Sequence, residues 1–203
     1  MSGIDAIIFD LGNVLVQYDE TVTIRDFSAR TGKTPSVIEQ YLRITPHVTE
    51  LALGKVTARR FYRTVAGDLG FAGDYDEFGA VWSKGLTAIE PMIELAAGLA
   101  TRLPRVIVSN TNSIHMDYIT EHFPVVREFD AQILSYEVGL LKPDRAIFEL
   151  TLRQCGLEAQ RSLFVDDMQA NVDGARAVGM QAVQFENAEQ VRQELTKRGI
   201  LSI

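Results

Sequence analysis

The stretch LFVDD, residues 163–167, ends an apolar run with two adjacent acids, and a similar run, IIF at residues 7–9, is followed by Asp10. Short apolar runs of this kind are typical of buried strands. In an open parallel sheet the carboxyl ends of the strands border one crevice, so residues far apart in sequence can meet there. Asp10, Asp166 and Asp167 are therefore expected at one edge of the sheet, where their carboxylates indicate a metal-dependent site.

Magnesium is the ion that these acids favour. A few hard oxygen ligands suit Mg²⁺ because it keeps several waters and also binds substrate phosphate oxygens. The alternative makes Asp167 the N-cap of the next helix and leaves Asp166 in solvent. Two adjacent carboxylates at a buried strand end repel each other and require a cation, either a metal or a lysine such as Lys142, and we prefer the metal. The pattern points to phosphate chemistry.

The rest of the chain alternates between helix and strand, apart from one helical block. That block has four helical segments and no strand: Thr21–Arg30, Pro35–Ile44, Thr57–Gly67 and Tyr75–Trp82. After Glu90 the alternation resumes, which predicts a parallel sheet wound on both faces. The predicted fold is α/β, with a doubly wound, Rossmann-like core of residues 1–15 and 89–203 and a small helical cap inserted at 16–88.

Composition and charge narrow the classes of protein. Among 203 residues, 46% are hydrophobic and 23% charged, as in an ordinary globular protein. The formal net charge is −7 and no basic cluster occurs, so nucleic acid is not an expected partner. No apolar run reaches the roughly 18 residues that span a bilayer, and residues 1–9 lack signal-peptide features. We expect a cytoplasmic protein with no membrane partner. The sequence does not indicate which oligomeric state the protein has.

Asp10 is followed by the turn-forming Leu11, Gly12 and Asn13, whose backbone N–H groups can approach an anion. A carboxylate at this place can be a nucleophile that forms an aspartyl-phosphate, a metal ligand, or both through its two oxygens. The alternative is an acid that caps the turn after the strand. As a glycine in a turn, Gly12 is also a candidate for a positive φ.

The segment VIVSNTN, residues 106–112, predicts a strand that ends in hydroxyl and amide side chains before a helix. Such a junction can bind phosphate oxygens through the Ser109 hydroxyl and through exposed backbone donors. The alternative is simple capping of the helix by Asn112 or Ser113. The segment alone does not decide between the two.

Lys142 directly precedes Pro143, a residue that suits the first position of a helix. From there its ammonium could reach a phosphate oxygen and the Asp10 carboxylate, and so neutralise the charge that accumulates during phosphoryl transfer. In isolation, Lys142 would be read as a solvated surface group, as most lysines are.

Four motifs, taken in order, resemble those of the haloacid-dehalogenase-like hydrolase superfamily: FDLGNV at 9–14, VSN at 108–110, LKPD at 141–144 and FVDD at 164–167 with Asn171. The helical block resembles the cap that this family inserts between its first two motifs. Within the superfamily, the motifs are most similar to small sugar-phosphate phosphatases of the α-D-glucose-1-phosphate phosphatase type. The resemblance implies a Mg²⁺-dependent phosphatase that hydrolyses a small phosphorylated metabolite.

The resemblance also implies roles for the residues that touch the substrate. Asp10 would attack phosphorus and form the aspartyl-phosphate. Ser109, Asn110 and Lys142 would hold the transferring phosphoryl group, and Lys142 is counted as catalytic as well because it neutralises charge on that group.

For the metal, the resemblance implies a site that uses the first and the last of the four motifs. Asp10, the Gly12 carbonyl and Asp167 would hold Mg²⁺. Asp166 is assigned to the same metal site, where it would position Lys142 or a metal-bound water.

Gly12 departs from the family's phosphatases, which usually carry a second aspartate there to protonate the leaving oxygen and activate water. Loss of a general acid/base costs about 10²–10⁴-fold in rate. This leaves a phosphatase with a substitute proton donor, a phosphatase that prefers good leaving groups, or a non-catalytic protein that binds phosphorylated ligands or a partner. A 2-haloacid dehalogenase also lacks that aspartate, but it is metal-free and does not need Asp166 and Asp167.

His47 is a candidate for the substitute donor, because it lies at a break between predicted helices and histidine carries protons near neutral pH. A solvated loop histidine is the alternative. His115 and His122 fall on the helix after Ser109, where surface or capping roles are expected. Neither is assigned to the site.

Overall fold

The structure is a computed structural model that describes residues 3–202. Its elements in chain order are β1 (Ala6–Phe9), β2 (Val16–Tyr18), α1 (Glu20–Thr31), α2 (Pro35–Ile44), α3 (His47–Ala52), α4 (Ala58–Leu69), α5 (Tyr75–Ser83), β3 (Leu86–Ala88), α6 (Glu90–Leu99), β4 (Arg105–Ser109), α7 (Ser113–His122), β5 (Ala131–Leu134), α8 (Ser135–Val138), α9 (Arg145–Cys155), β6 (Ser162–Asp166), α10 (Gln169–Ala177), β7 (Gln181–Gln184) and α11 (Ala188–Lys197). Across this described range, no helix is both long and apolar enough to cross a bilayer.

Five parallel strands form the central sheet in the order β5-β4-β1-β6-β7. β1 is the middle strand, and its Ile8 is in register with Val106 of β4 and Phe164 of β6. A strand with neighbours on both sides and helices on both faces is buried all round, which explains why β1 is entirely apolar. The carboxyl ends of β1, β4 and β6 lie side by side, so the residues that follow them share one edge.

Alternate residues of each strand pack on opposite faces of the sheet, as the geometry of a strand requires. Ile7 and Phe9 join a hydrophobic cluster that includes side chains of α6, α7 and α11. Ile8 joins a second cluster with side chains of α9 and α10. Both faces of the sheet are thus covered by helices, and the prediction of a doubly wound parallel α/β fold is confirmed.

Helices α1 to α5 follow one another without a strand and have their own hydrophobic cluster, which includes Phe27, Phe61, Phe78 and Trp82. β2 and β3 pair antiparallel just before and just after these helices, so they form a two-stranded stem. The boundaries of a cap at 16–88 remain a proposal. Residues 1, 2 and 203 of the predicted core ranges lie outside the described residues.

Short elements account for most of the differences from the predicted secondary structure. β2, β3, α3 and α8 are not predicted, because they span only three to six residues and are too short for a hydrophobic period to be recognised. His47 consequently does not lie at a break between helices, since it is the first residue of α3. That expectation is wrong.

The start of α9 also differs from the prediction. The helix begins at Arg145, because the side chain of Asp144 accepts a hydrogen bond from Ala146 N at 3.0 Å and so caps it. Pro143 precedes this cap and is not the first helical residue.

Candidate active site

Asp10 lies at the carboxyl end of the middle strand, where its backbone N–H donates to Val165 O at 2.8 Å. The side chain is buried; its Oδ1 accepts from Leu11 N at 2.6 Å and lies 2.8 Å from Lys142 Nζ. Burial raises the pKa of Asp10 to about 7, although the charge of Lys142 acts in the opposite direction. Within residues 3–202, no donor contacts Oδ2, so one oxygen of this carboxylate is engaged and the other is available.

Lys142 is a buried cation, not the solvated surface group that it would be in isolation. Its Nζ lies 2.8 Å from Asp10 Oδ1 and 2.6 Å from Asp166 Oδ2, and 5.4 Å from the centroid of the Phe164 ring. One ammonium between two carboxylates leaves a net negative charge in a poorly solvated place. Such a place favours the binding of a further cation.

The side-chain amide of Asn110 is bonded at both ends to the backbone of Lys142. Asn110 Oδ1 accepts from Lys142 N at 2.8 Å, and Asn110 Nδ2 donates to Lys142 O at 2.8 Å. These two bonds join the end of β4 to the loop that carries the lysine. Asn110 could therefore contact substrate only through its backbone, or through its side chain after these two hydrogen bonds break. The contact stays a prediction.

Asp166 is the last residue of β6, and its carboxylate is surrounded by donors. Oδ1 accepts from Met168 N at 2.8 Å, and Asn171 Nδ2 lies 2.9 Å from Oδ1 and 3.0 Å from Oδ2. With Lys142 on Oδ2 as well, both oxygens have partners. The side chain is fully buried, so the alternative of a solvated Asp166 is wrong.

Asp167 is half-buried and lies beside the cavity. The N-cap of α10 is Met168, not Asp167, so the capping alternative for Asp167 is wrong as well. Its backbone O accepts from Gln184 Nε2 at 3.0 Å, and its Oδ2 accepts from Asn13 Nδ2 at 3.3 Å.

The acids at this edge of the sheet fit a divalent cation with hard oxygen ligands. Asp10, Asp166 and Asp167 each offer a carboxylate oxygen, and these atoms lie within 4.8 Å of one another. Gly12 lines the same cavity. Three carboxylates with one lysine among them suit Mg²⁺ better than a softer metal, which would prefer nitrogen or sulfur ligands. The assignment of individual ligands remains a prediction.

The sequence left open whether this segment caps a helix or binds phosphate. In the structure, Asn112 caps the helix and Ser109 is free for a ligand. Asn112 is the N-cap of α7, and its Oδ1 accepts from His115 N at 3.0 Å. Ser109 is buried at the end of β4 and lines the cavity. Its hydroxyl has no hydrogen-bond partner in the described part of the chain, so it is free to bind a ligand.

In the turn after Asp10, the residue with a left-handed φ is Asn13, one residue later than expected. Gly12 does not have a left-handed φ, whereas Asn13 has φ 56°. A Cβ on Gly12 would meet no atom within 4 Å. The expectation of a positive φ at Gly12 is therefore wrong, and the glycine leaves open space beside Asp10.

A cavity of about 340 Å³ opens above these residues, and its far wall comes from the helical block and the stem. Leu42, Val48, Ala52 and Trp82 give this wall an apolar character, while Tyr18 and Glu20 add polar groups. The cavity thus has charged groups on one side and a mixed surface on the other.

The two histidines lie contrary to expectation, because His115 and not His47 lines the cavity. His47 is not among the residues that line the cavity; its Nδ1 lies 2.9 Å from Glu50 Oε2. His115 does line it, with its Nε2 donating to Trp82 O at 3.1 Å. Desolvation lowers the pKa of His115 to about 4, so the ring is neutral near pH 7. The sequence could not place His115 here, because its helical spacing indicates only that it lies on α7.

The chain is similar to known proteins of one family. The model of the haloacid dehalogenase-like hydrolase family matches residues 4–179. D-ribitol-5-phosphate phosphatase of Bacteroides thetaiotaomicron is 26% identical over 94% of this chain and 96% of its own length. Sesquiterpene phosphatase of Aspergillus oryzae is 27% identical over 86% of each chain.

Among solved structures, a haloacid-dehalogenase-family enzyme of Bacteroides thetaiotaomicron in complex with magnesium and inorganic phosphate superposes with a TM-score of 0.84. It is 24% identical, over 91% of this chain and 95% of that one. This likeness supports the fold. The predictions of the family and of a hydrolase are confirmed, because the family model covers most of the sequence: the chain belongs to the haloacid dehalogenase-like hydrolase family.

Proposed function

We propose that the protein is a Mg²⁺-dependent phosphatase that hydrolyses a small phosphomonoester through an aspartyl-phosphate on Asp10. The observation that carries this proposal is the position of Lys142, held 2.8 Å from Asp10 and 2.6 Å from Asp166 where β1 and β6 end. The arrangement supplies a nucleophile with one free oxygen and a fixed positive charge beside it. Phosphoryl transfer needs such positioning and charge neutralisation more than it needs covalent chemistry from the protein.

In the first step Asp10 Oδ2 attacks phosphorus, and the bond between phosphorus and the leaving oxygen breaks. The electron pair of that bond goes to the leaving oxygen, which takes up a proton. Ser109 Oγ and Lys142 Nζ hold the oxygens of the transferring group. Asp10, Asp167 and the Gly12 carbonyl would hold Mg²⁺, which would contribute positive charge to neutralise the phosphate oxygens.

In the second step water attacks the phosphorus of the aspartyl-phosphate, and the bond to Asp10 breaks. The carboxylate is restored, inorganic phosphate leaves with the oxygen of the attacking water, and the proton that this water releases passes to solvent. His115 cannot serve as the acid in the first step, because its ring is neutral near pH 7 and its N–H is bonded to Trp82 O. His47 does not line the cavity, and its Nδ1 lies 2.9 Å from Glu50 Oε2, so it is poorly placed for this role. The proton for the leaving oxygen must therefore come from water, unless the leaving group is weakly basic enough to depart without one.

The size and lining of the cavity support a small substrate. A volume of about 340 Å³ suits a small metabolite, since ligand pockets range from about 300 to 1,000 Å³. D-ribitol-5-phosphate phosphatase is named for a phosphorylated polyol and the sesquiterpene phosphatase for a terpene class, and the mixed wall is compatible with either kind of leaving group. A cytoplasmic location and the lack of a nucleic-acid or membrane partner remain predictions.

The experiment is a hydrolysis assay with three phosphate esters (p-nitrophenyl phosphate, D-ribitol 5-phosphate and α-D-glucose 1-phosphate) and, separately, with a 2-haloacid. Mg²⁺-loaded enzyme, EDTA-treated enzyme and Asp10→Asn are compared. We expect turnover that EDTA stops and Mg²⁺ restores, and none in Asp10→Asn. If wild type binds phosphate but hydrolyses none of the three, the protein is a phosphate-ligand-binding protein. If metal-free protein turns over a 2-haloacid instead, it is a dehalogenase.

A further inference from the structure

Asn13 has the only left-handed backbone conformation among the described non-glycine residues, and it lies in the turn directly after the Asp10 loop. Its φ is 56°, and its backbone N–H donates to Val16 O at 2.7 Å. Asparagine tolerates this region better than most residues, although glycine does so at the least steric cost. Glycine would satisfy the backbone conformation at this position equally well. The conformation therefore does not explain the asparagine side chain.

Both ends of the Asn13 amide have hydrogen-bond partners: Asp167, far away in the sequence, and Tyr18, which follows Asn13 closely. Nδ2 donates to Asp167 Oδ2 at 3.3 Å, and Oδ1 accepts from Tyr18 N at 3.2 Å. Asp167 follows β6 and Tyr18 ends β2, so the amide joins the edge of the sheet to the stem of the helical block. Both bonds are at or beyond the long end of the usual range for N–H···O contacts, so each is individually modest.

Asp167 has a single hydrogen-bond donor to its carboxylate in the described part of the chain. Its backbone O is held by Gln184, but within residues 3–202 Asn13 Nδ2 is the sole donor to its carboxylate. A neutral amide orients a carboxylate without supplying a positive charge that would compete with a metal. Lys142, by contrast, neutralises the carboxylates that it contacts.

We propose that Asn13 is a positioning residue that orients Asp167 toward the metal and ties this carboxylate to the stem of the helical block. The inference rests on the proposed Mg²⁺-dependent function. Partners that orient metal ligands through a hydrogen bond typically change metal affinity about 10–100-fold when they are removed. The length of the bond to Asp167 places the expected effect of Asn13 near the lower end, about 10-fold.

The bond between Asn13 and Tyr18 also connects the metal-binding acids to the wall of the cavity. The Tyr18 ring lies 5.0 Å from the His115 ring, and His115 donates to Trp82 O and stacks on the Trp82 ring at 5.8 Å. Trp82 is the single tryptophan of the chain and lines the cavity. Its fluorescence therefore reports on this wall with no contribution from other indoles.

The experiment compares wild type, Asn13→Gly, Asn13→Ala and the control Gln17→Ala, all with the full chain. Asn13→Gly keeps the left-handed turn and removes the amide, whereas Asn13→Ala also introduces backbone strain. Gln17 is an exposed residue of β2 whose side chain makes no hydrogen bond in the described structure. Mg²⁺ affinity is measured by titration calorimetry without substrate, together with the change in Trp82 fluorescence on adding Mg²⁺.

We expect Asn13→Gly and Asn13→Ala to lose Mg²⁺ affinity about 10-fold each. The Mg²⁺-dependent change in Trp82 fluorescence should disappear in both, whereas Gln17→Ala behaves as wild type. Only Asn13→Ala should melt at a lower temperature. Wild-type Mg²⁺ affinity in Asn13→Gly overturns the positioning role while leaving the proposed function intact. Absence of Mg²⁺ binding and of phosphatase turnover in wild type overturns both.

Discussion

Asn110 holds the backbone of Lys142 through two hydrogen bonds of 2.8 Å, one to its N–H and one to its carbonyl. The lysine therefore does not rely on its own loop for position. Its ammonium reaches Asp10 and Asp166 from a backbone that is fixed to the end of β4, the strand that also presents Ser109. These two bonds join the end of β4 directly to the backbone of Lys142.

Asn110→Ala is expected to lower kcat by about 10²-fold with little change in KM, because a catalytic group misplaced by about 1 Å can cost that much. Asn110→Asp, the matched variant, keeps an acceptor for Lys142 N but sets a carboxylate oxygen against Lys142 O. It should be impaired as well. Steady-state kinetics with p-nitrophenyl phosphate check this. A raised KM with unchanged kcat in Asn110→Ala would instead indicate that the amide binds substrate directly.

Asp10→Asn is expected to abolish turnover, by on the order of 10⁴-fold or more, while keeping the fold. The pKa of Asp10 is raised to about 7 from 3.8, so the folded protein holds a proton there that the unfolded chain releases between these values. Ionisation of Asp10 therefore destabilises the fold progressively as pH rises through this window. Without Mg²⁺, Asp10→Asn should melt above wild type at pH 8, and the difference should shrink toward pH 5.

Thermal unfolding in EDTA at these two pH values provides the measurement. Asp10→Asn also leaves Lys142 paired one to one with Asp166, which removes the excess negative charge of the buried group. A lower melting temperature than wild type at pH 8 would mean that the Asp10 carboxylate stabilises the native state.

The pH dependence of the rate should shift with Mg²⁺ concentration. Asp10 must be ionised to attack, and its pKa of about 7 in the metal-free protein sets an acid limb near that value. A cation beside the carboxylate favours the charged form, so the acid limb of kcat/KM should move to lower pH as Mg²⁺ is raised. Profiles at low and saturating Mg²⁺ test this. An acid limb that does not move would argue that a different group titrates.

Sequence reasoning reached the fold and the main acids because both depend on local patterns. The apolar runs before Asp10 and Asp166 identify buried strands, and the rule for parallel sheets then brings their ends together. The bond from Asn13 to Asp167 and the two bonds between Asn110 and Lys142 could not be predicted, because these partners lie far away in sequence and an asparagine in a turn indicates only capping. His115 was missed for a similar reason: its helical position says nothing about which rings of the helical block it meets.

Gly12→Asp should raise turnover of sugar phosphates, since it restores a carboxylate where the family's phosphatases carry one. The structure favours this variant: the backbone at Gly12 is not left-handed and a Cβ there meets no atom within 4 Å. The gain on D-ribitol 5-phosphate should approach about 10²-fold, the lower end of general acid catalysis. p-Nitrophenyl phosphate should gain little, because its leaving group hardly needs a proton.

Parallel kinetics on the two substrates, with circular dichroism to verify folding, decide this prediction. A folded Gly12→Asp with no gain, beside a wild type already efficient on sugar phosphates, would show that another group or a bound water transfers the proton.

The most direct test of the aspartyl-phosphate mechanism is mass spectrometry of the peptide that contains Asp10 after acid quench during turnover. Wild type with Mg²⁺ and p-nitrophenyl phosphate should yield this peptide heavier by one phosphoryl group, and neither Asp10→Asn nor an EDTA-treated sample should do so. Sustained phosphate release with Asp10 never modified, or modification of a different residue, would contradict the assignment of Asp10 as the nucleophile.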